Sequence, residues 1–172
     1  MSRKYFKTEQ LVPCYTEEGR CKWCRGRLGV CSLALIGVYP NMWALADEIL
    51  EPTRLRYGKP IRVLRGFLCR TKLKAYGLSE EYLSGECVDI CAYIGQPRRR
   101  KVSRSKFDAT RRVSGFRFQV SNGQPDVTRE ENMKIAEIIK GMDFDQLVIY
   151  PDYLHVSYKR NGDNRHEVIS KI

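Results

Sequence analysis

Three groups of side chains in this chain of 172 residues have types and spacings that can do chemistry. The first is the segment Glu86-Cys87-Val88-Asp89-Ile90-Cys91-Ala92-Tyr93-Ile94. Strand alternation sets Val88, Ile90, Ala92 and Ile94 on one face and Cys87, Asp89, Cys91 and Tyr93 on the other. The aliphatic face reads as core; a carboxylate between two thiols is not an ordinary solvent face. The same alternation sets Leu154 and Val156 one way and His155 and Ser157 the other. The second group is Cys14, Cys21, Cys24 and Cys31, with six, two and six residues between successive members. Cys21-Lys22-Trp23-Cys24 has knuckle spacing, so four thiolates there can close a tetrahedral structural zinc site. The competing reading makes some of them small buried apolar residues. The third group is the run Pro97 to Arg117. Its nine cations (Arg98, Arg99, Arg100, Lys101, Arg104, Lys106, Arg111, Arg112 and Arg117) face one acid, Asp108, a net +8 of the chain's +11. Such a run can hold an acidic polymer, or nucleic acid without base specificity, with Phe107, Phe116 and Phe118 available for stacking. Its plainer role is a solvated insertion.

Composition narrows the classes. Seven cysteines, an odd number, argue against a fully paired secreted disulfide scaffold and for a reducing compartment. The longest apolar run, Val30 to Tyr39, is interrupted by Ser32 and Gly37 and is too short to cross a bilayer, so no membrane partner is expected. No apolar stretch follows the basic residues near Met1, so no signal peptide is expected. With 42% hydrophobic residues the chain can bury one core.

The elements that must position these groups follow from periodicity. Residues 1–13 read as a short entry helix or turn and 14–31 as a cysteine-rich, irregular loop. Met42, Leu45, Ala46, Ile49 and Leu50 have helical spacing, with an interruption or kink expected at Pro52 and a stop at Gly58-Lys59-Pro60. Ile61 to Phe67 reads as a strand, and residues 72–84 as helix or irregular loop. Thr128 and Glu131 form a capping-box pattern ahead of a helix carrying Ile135, Ala136, Ile138 and Ile139. Strands are expected over Gln146–Tyr150, Tyr153–Tyr158 and about His166–Lys171. The order gives an α+β class: one domain, residues 1–172, with an antiparallel sheet, helices packed on one side and a basic insertion at about 95–125.

Phe144-Asp145-Gln146-Leu147-Val148-Ile149-Tyr150 and Tyr153-Leu154-His155-Val156-Ser157-Tyr158 resemble the end of the zinc D-Ala-D-Ala carboxypeptidase family, which includes phage and bacterial peptidoglycan endopeptidases. The likeness runs back through Gly85-Glu86-Cys87-Val88-Asp89-Ile90, similar to the family's G-E-A-x-D-I strand. It continues through Ile49-Leu50-Glu51-Pro52-Thr53-Arg54, Tyr57-Gly58-Lys59-Pro60-Ile61 and Lys4-Tyr5-Phe6-Lys7-Thr8-Glu9-Gln10-Leu11. It covers most of the chain outside the cysteine loop and residues 95–125. The resemblance implies a hedgehog/DD-peptidase fold and a zinc held by His, Asp and His with a water in the fourth position. Carried over, Asp89 and His155 are metal ligands and Asp152 is the catalytic acid–base. The first His position holds Tyr82, since the family's Ser-x-His becomes Glu80-Glu81-Tyr82, and Tyr82, Cys87 or Cys91 is the candidate third ligand. The family's carboxylate-binding Arg is replaced by Leu68. These departures imply a peptidase-like, peptidoglycan-associated domain with a changed metal site and doubtful activity. The alternative is a non-catalytic binding or structural protein, such as a phage-particle component, that meets an acidic partner through the insertion. A cytoplasmic or phage-particle location accompanies either expectation.

Overall fold

The computed structural model describes residues 4–12, 28–94 and 125–172. Cys14, Cys21, Cys24 and the basic run 97–117 lie outside them. The described part is one compact α+β domain. It opens with the short helix α1 (Thr8–Leu11) and continues into α2 (Leu28–Leu45), a π-helical turn (Ala46–Leu50) and α3 (Glu51–Tyr57). Cys31 is therefore in a helix, and the irregular loop expected over 14–31 does not extend through Leu28–Cys31.

Pro52 does not end the helix. It occupies the first turn of α3, where a missing N–H costs little. The turn before it is widened, with the Glu51 N–H reaching the Ala46 carbonyl. A widened turn absorbs the ring and the lost donor that would otherwise break the ladder. Glu51 also anchors the chain entry: its Oε1 accepts the backbone N–H groups of Tyr5 and Phe6, each at 2.9 Å. α3 stops at Gly58, whose φ of +76° suits a residue without Cβ.

The sheet contains β1 (Ile61–Arg65), β2 (Cys87–Ala92), β3 (Gln146–Ile149), β4 (Leu154–Ser157) and β5 (Glu167–Ser170), in the order β1-β2-β4-β3-β5. It is mixed, which corrects the antiparallel expectation: β3 and β5 pair parallel. The cause is geometric. β3 and β4 are antiparallel with Gln146 opposite Ser157, so β4 ends beside the start of β3. A short return from there delivers β5 to the same end of β3. Asp145 pins that return. Its carboxylate accepts Arg165 Nε at 2.8 Å and Nη2 at 3.0 Å, and Lys159 Nζ lies 3.3 Å away. The Arg165 hydrogen bonds hold the Asp145 carboxyl down to about 2.

One sheet face carries Val88, Ile90, Leu147, Ile149, Leu154 and Val156. They pack with Leu45, Ala46, Ile49 and Leu50 of the long helix and with Ile135, Ala136 and Ile139 of α6 (Pro125–Lys140). The other face is covered too. Across it lie the short helices α4 (Arg70–Tyr76) and α5 (Glu81–Ser84), with a second small core of Leu68, Leu73, Tyr82 and Cys87. Helices on one side only was therefore an incomplete expectation: apolar residues between β1 and β2 supply a second layer. The Thr128–Glu131 capping box is not formed either. α6 begins at Pro125, which suits a helix start, and Thr128 is inside it. Glu131 is instead bound by Tyr57, Lys59 and Lys134.

Gly85 joins α5 to β2 and so sets where Tyr82 and Asp89 meet. Its φ is +74°, and a Cβ there would stand 2.4 Å from Val38 Cγ1 and 2.8 Å from Met42 Cγ. Gly85→Ala should cost roughly 2–4 kcal/mol, from left-handed backbone strain plus overpacking against α2. Urea unfolding checks this; a variant as stable as the natural chain would contradict the close approach.

Candidate functional site

The side chains with chemistry converge on Asp89, which is fully buried in β2, an interior strand between β1 and β4. Strand register delivers two partners. Asp89 stands opposite His155 on β4 and opposite Arg65 on β1. The Arg65 pairing depends on an irregularity between Val63 and Arg65, and an extra residue of this kind re-aims a side chain. His155 Nδ1 lies 2.9 Å from Asp89 Oδ1. Arg65 Nη1 donates to Oδ2 at 2.7 Å, and its guanidinium lies 5.5 Å from the centre of the Tyr153 ring.

The fourth member comes from α5. The Tyr82 hydroxyl is 2.9 Å from Oδ1 and 3.0 Å from Oδ2 of Asp89, and 3.2 Å from His155 Nδ1. Its ring contacts the imidazole edge-on, with centroids 5.6 Å apart. Burial first, and the Asp89 charge next, push the Tyr82 phenol far above its ordinary range. The phenol therefore stays protonated and donates. Asp89 has three hydrogen-bond partners, one of them the Arg65 cation, the arrangement that makes a buried carboxylate tolerable.

This network determines the histidine tautomer. A carboxylate only accepts, so the neutral imidazole carries its proton on Nδ1 and leaves a lone pair on Nε2. Nε2 faces Glu81 Oε2 at 3.5 Å. Cys87, next along the Asp89 face of β2, completes a triangle: ligand atoms of Glu81, Cys87 and His155 all lie within 4.8 Å of one another. Cys87 and His155 are buried and Glu81 is exposed. Burial, followed by the nearby Asp89 charge, pushes the Cys87 thiol well up.

The structure thus brings together Asp89, His155, Tyr82 and Cys87. Cys91 stays half-buried outside the cluster, its thiol raised by burial and felt by Arg62 and Asp152. Asp152 is exposed in the β3–β4 turn and is not among the described side chains that meet at Asp89. Sequence reasoning missed Arg65 and Glu81. The strand irregularity that aims Arg65 has no signature in residue types. Glu81 was visible only as the neighbour of Tyr82, a position to which the resemblance assigns a ligand.

A zinc at positions 82, 89 and 155 does not fit these residues. The Tyr82 phenol is held neutral, and its hydroxyl occupies the space between the other two. Both Asp89 oxygens are committed, one of them to the Arg65 cation. Position 68, where the resemblance implies a substrate-binding Arg, holds a Leu buried against Tyr82, with the Leu68 N–H donating to the Tyr82 carbonyl at 3.2 Å. A scan against protein-family models and searches of curated proteins and solved structures find no match to this chain.

Tyr82→Phe removes the hydroxyl that donates to Asp89 and touches His155 Nδ1, and keeps the ring. It should lower stability by about 1.5–3 kcal/mol in urea, the value of a hydrogen bond to a charged group. No loss would mean that the hydroxyl is not part of the network.

Proposed function

We propose that the chain is a peptidase-like domain of the zinc D-Ala-D-Ala carboxypeptidase type that associates with peptidoglycan and binds stem peptides without hydrolysing them. The observation that carries this reading is the Tyr82 hydroxyl seated between Asp89 and His155. Where the resemblance implies a metal ligand, the chain has a neutral donor that locks the remaining two side chains together. Leu68 supports the same reading. The two positions that depart from the family pattern, 68 and 82, pack against each other in one small core. They are a single repacking that exchanges two polar functional positions for apolar contact. The neighbouring segments that carry the resemblance include the strands Cys87–Ala92 and Leu154–Ser157.

The +8 run 97–117 favours a second reading, in which the domain is a particle or accessory protein that contacts an acidic polymer. Salt separates the two, because each neutralised anionic site releases counterions.

Co-sedimentation with purified peptidoglycan, with release of D-alanine and of new amino groups followed in parallel, tests the reading. The expected result is sedimentation at moderate salt with no release, with or without added zinc. Release by the natural chain would overturn the non-hydrolytic account. Binding that disappears with salt, and with Arg98, Arg99, Arg100 and Lys101 changed to Ala, would move the function to the basic segment. Tyr82→His should raise zinc affinity, because it replaces a neutral phenol by an imidazole.

A further inference from the structure

The lock around Asp89 leaves three side chains unexplained. His155 Nε2 carries a lone pair, and 3.5 Å from it stands a carboxylate oxygen of Glu81. Two acceptors that face each other at this distance can share a cation. Cys87, whose sulfur belongs to the same triangle, is a third ligand-type atom on that side. Cys87 lies two residues before Asp89 on the same strand face, and Glu81 immediately precedes Tyr82. Both therefore sit one step from the positions where a zinc does not fit.

We propose that Glu81, Cys87 and His155 Nε2 form a displaced binding site for a zinc-type divalent cation, with Asp89 as the positioning residue that orients the imidazole. The donor set matches the ion. Thiolate, imidazole and carboxylate together suit a borderline-soft divalent metal, and three protein ligands with an open fourth position suit tetrahedral coordination with water. Asp89 makes the contact that metal-bound histidines ordinarily make through their other ring nitrogen: a carboxylate fixes the tautomer and aims the lone pair. Tyr82 and Arg65 hold that carboxylate in turn, so the network that excludes a metal on one side of His155 prepares the other side for one.

The separations are compatible with closure. Tetrahedral zinc with ordinary bond lengths sets its ligand atoms roughly 3.3–3.8 Å apart. The triangle spans up to 4.8 Å, and its most exposed member, Glu81, supplies the freedom to close it. Binding converts the Cys87 thiol to thiolate and releases that proton to solvent. The cation shared by Nε2 and Glu81 is then the metal. The competing occupant is a proton on Nε2, which would make His155 an imidazolium between Asp89 and Glu81.

The inference does not rest on the stem-peptide reading, because it is tested without peptide. Cobalt(II) is titrated into the full chain under reducing conditions, and the near-ultraviolet thiolate-to-metal charge-transfer absorption is followed. Cys87→Ser is compared in the same way, so that any contribution from Cys14, Cys21, Cys24 and Cys31 cancels in the difference. The expected difference is one equivalent of thiolate-bound cobalt. Glu81→Gln, an exposed change that leaves the fold alone, should weaken this component at least about tenfold. Asp89→Asn should weaken it about 10–100-fold, as loss of an orienting partner does. A cobalt spectrum identical in the natural chain and in Cys87→Ser would overturn the proposal, as would a Glu81→Gln variant with unchanged affinity. Failure here would leave the peptidoglycan result untouched.

Discussion

A buried carboxylate is the constraint on which the rest of this structure depends. Asp89 lies in an interior strand with no exposure to solvent, and a carboxyl group in that position must be surrounded by hydrogen-bond partners. Each donor comes from a different element. Arg65 comes from β1 through a strand irregularity, His155 from β4 by direct register, and Tyr82 from a four-residue helix that Gly85 closes. Satisfying Asp89 thus fixes β1, β2, β4 and α5 relative to one another. The apolar face of the same strands needs no such precision. It is filled by Val88, Ile90, Leu154 and Val156 against the long helix and α6, where shape and volume suffice.

The two faces explain what was legible in the residue pattern and what was not. Alternation in β2 and β4 separated core from site correctly, because a period of two is a property of the strand itself. It placed Asp89 and His155 on the face opposite the core, and the register makes them direct partners. The mixed sheet was less visible. The direction of β5 follows from where β4 ends and from the Asp145–Arg165 contact, both long-range facts. At Pro52 the expected interruption takes a particular form: a widened turn just before the ring, which lets the helix continue into α3. Thr128 and Glu131 carry a helix-start pattern, yet Glu131 is claimed by Tyr57, Lys59 and Lys134, and tertiary partners outrank a local cap.

The site was half legible. A carboxylate among thiols and a histidine on a matching face announced polar chemistry. The meaning of Tyr82 and Leu68 needed the fold. They share one small core, beside the hydrogen-bond network that Tyr82 joins at Asp89. Arg65 neutralises the carboxylate that a metal would otherwise share, and Tyr82 seals it. The consequence reaches His155, whose Nδ1 is consumed by Asp89 and whose remaining nitrogen is turned toward Cys87 and Glu81.

The orientation of that imidazole is the most direct test of the whole account. Long-range nitrogen–proton correlation NMR of the metal-free chain at neutral pH reads each ring nitrogen of His155 separately; His166 is the only other histidine. The account predicts a protonated Nδ1 and an unprotonated Nε2, as the Asp89 contact requires. A proton on Nε2, with Nδ1 bare or also protonated, would contradict it.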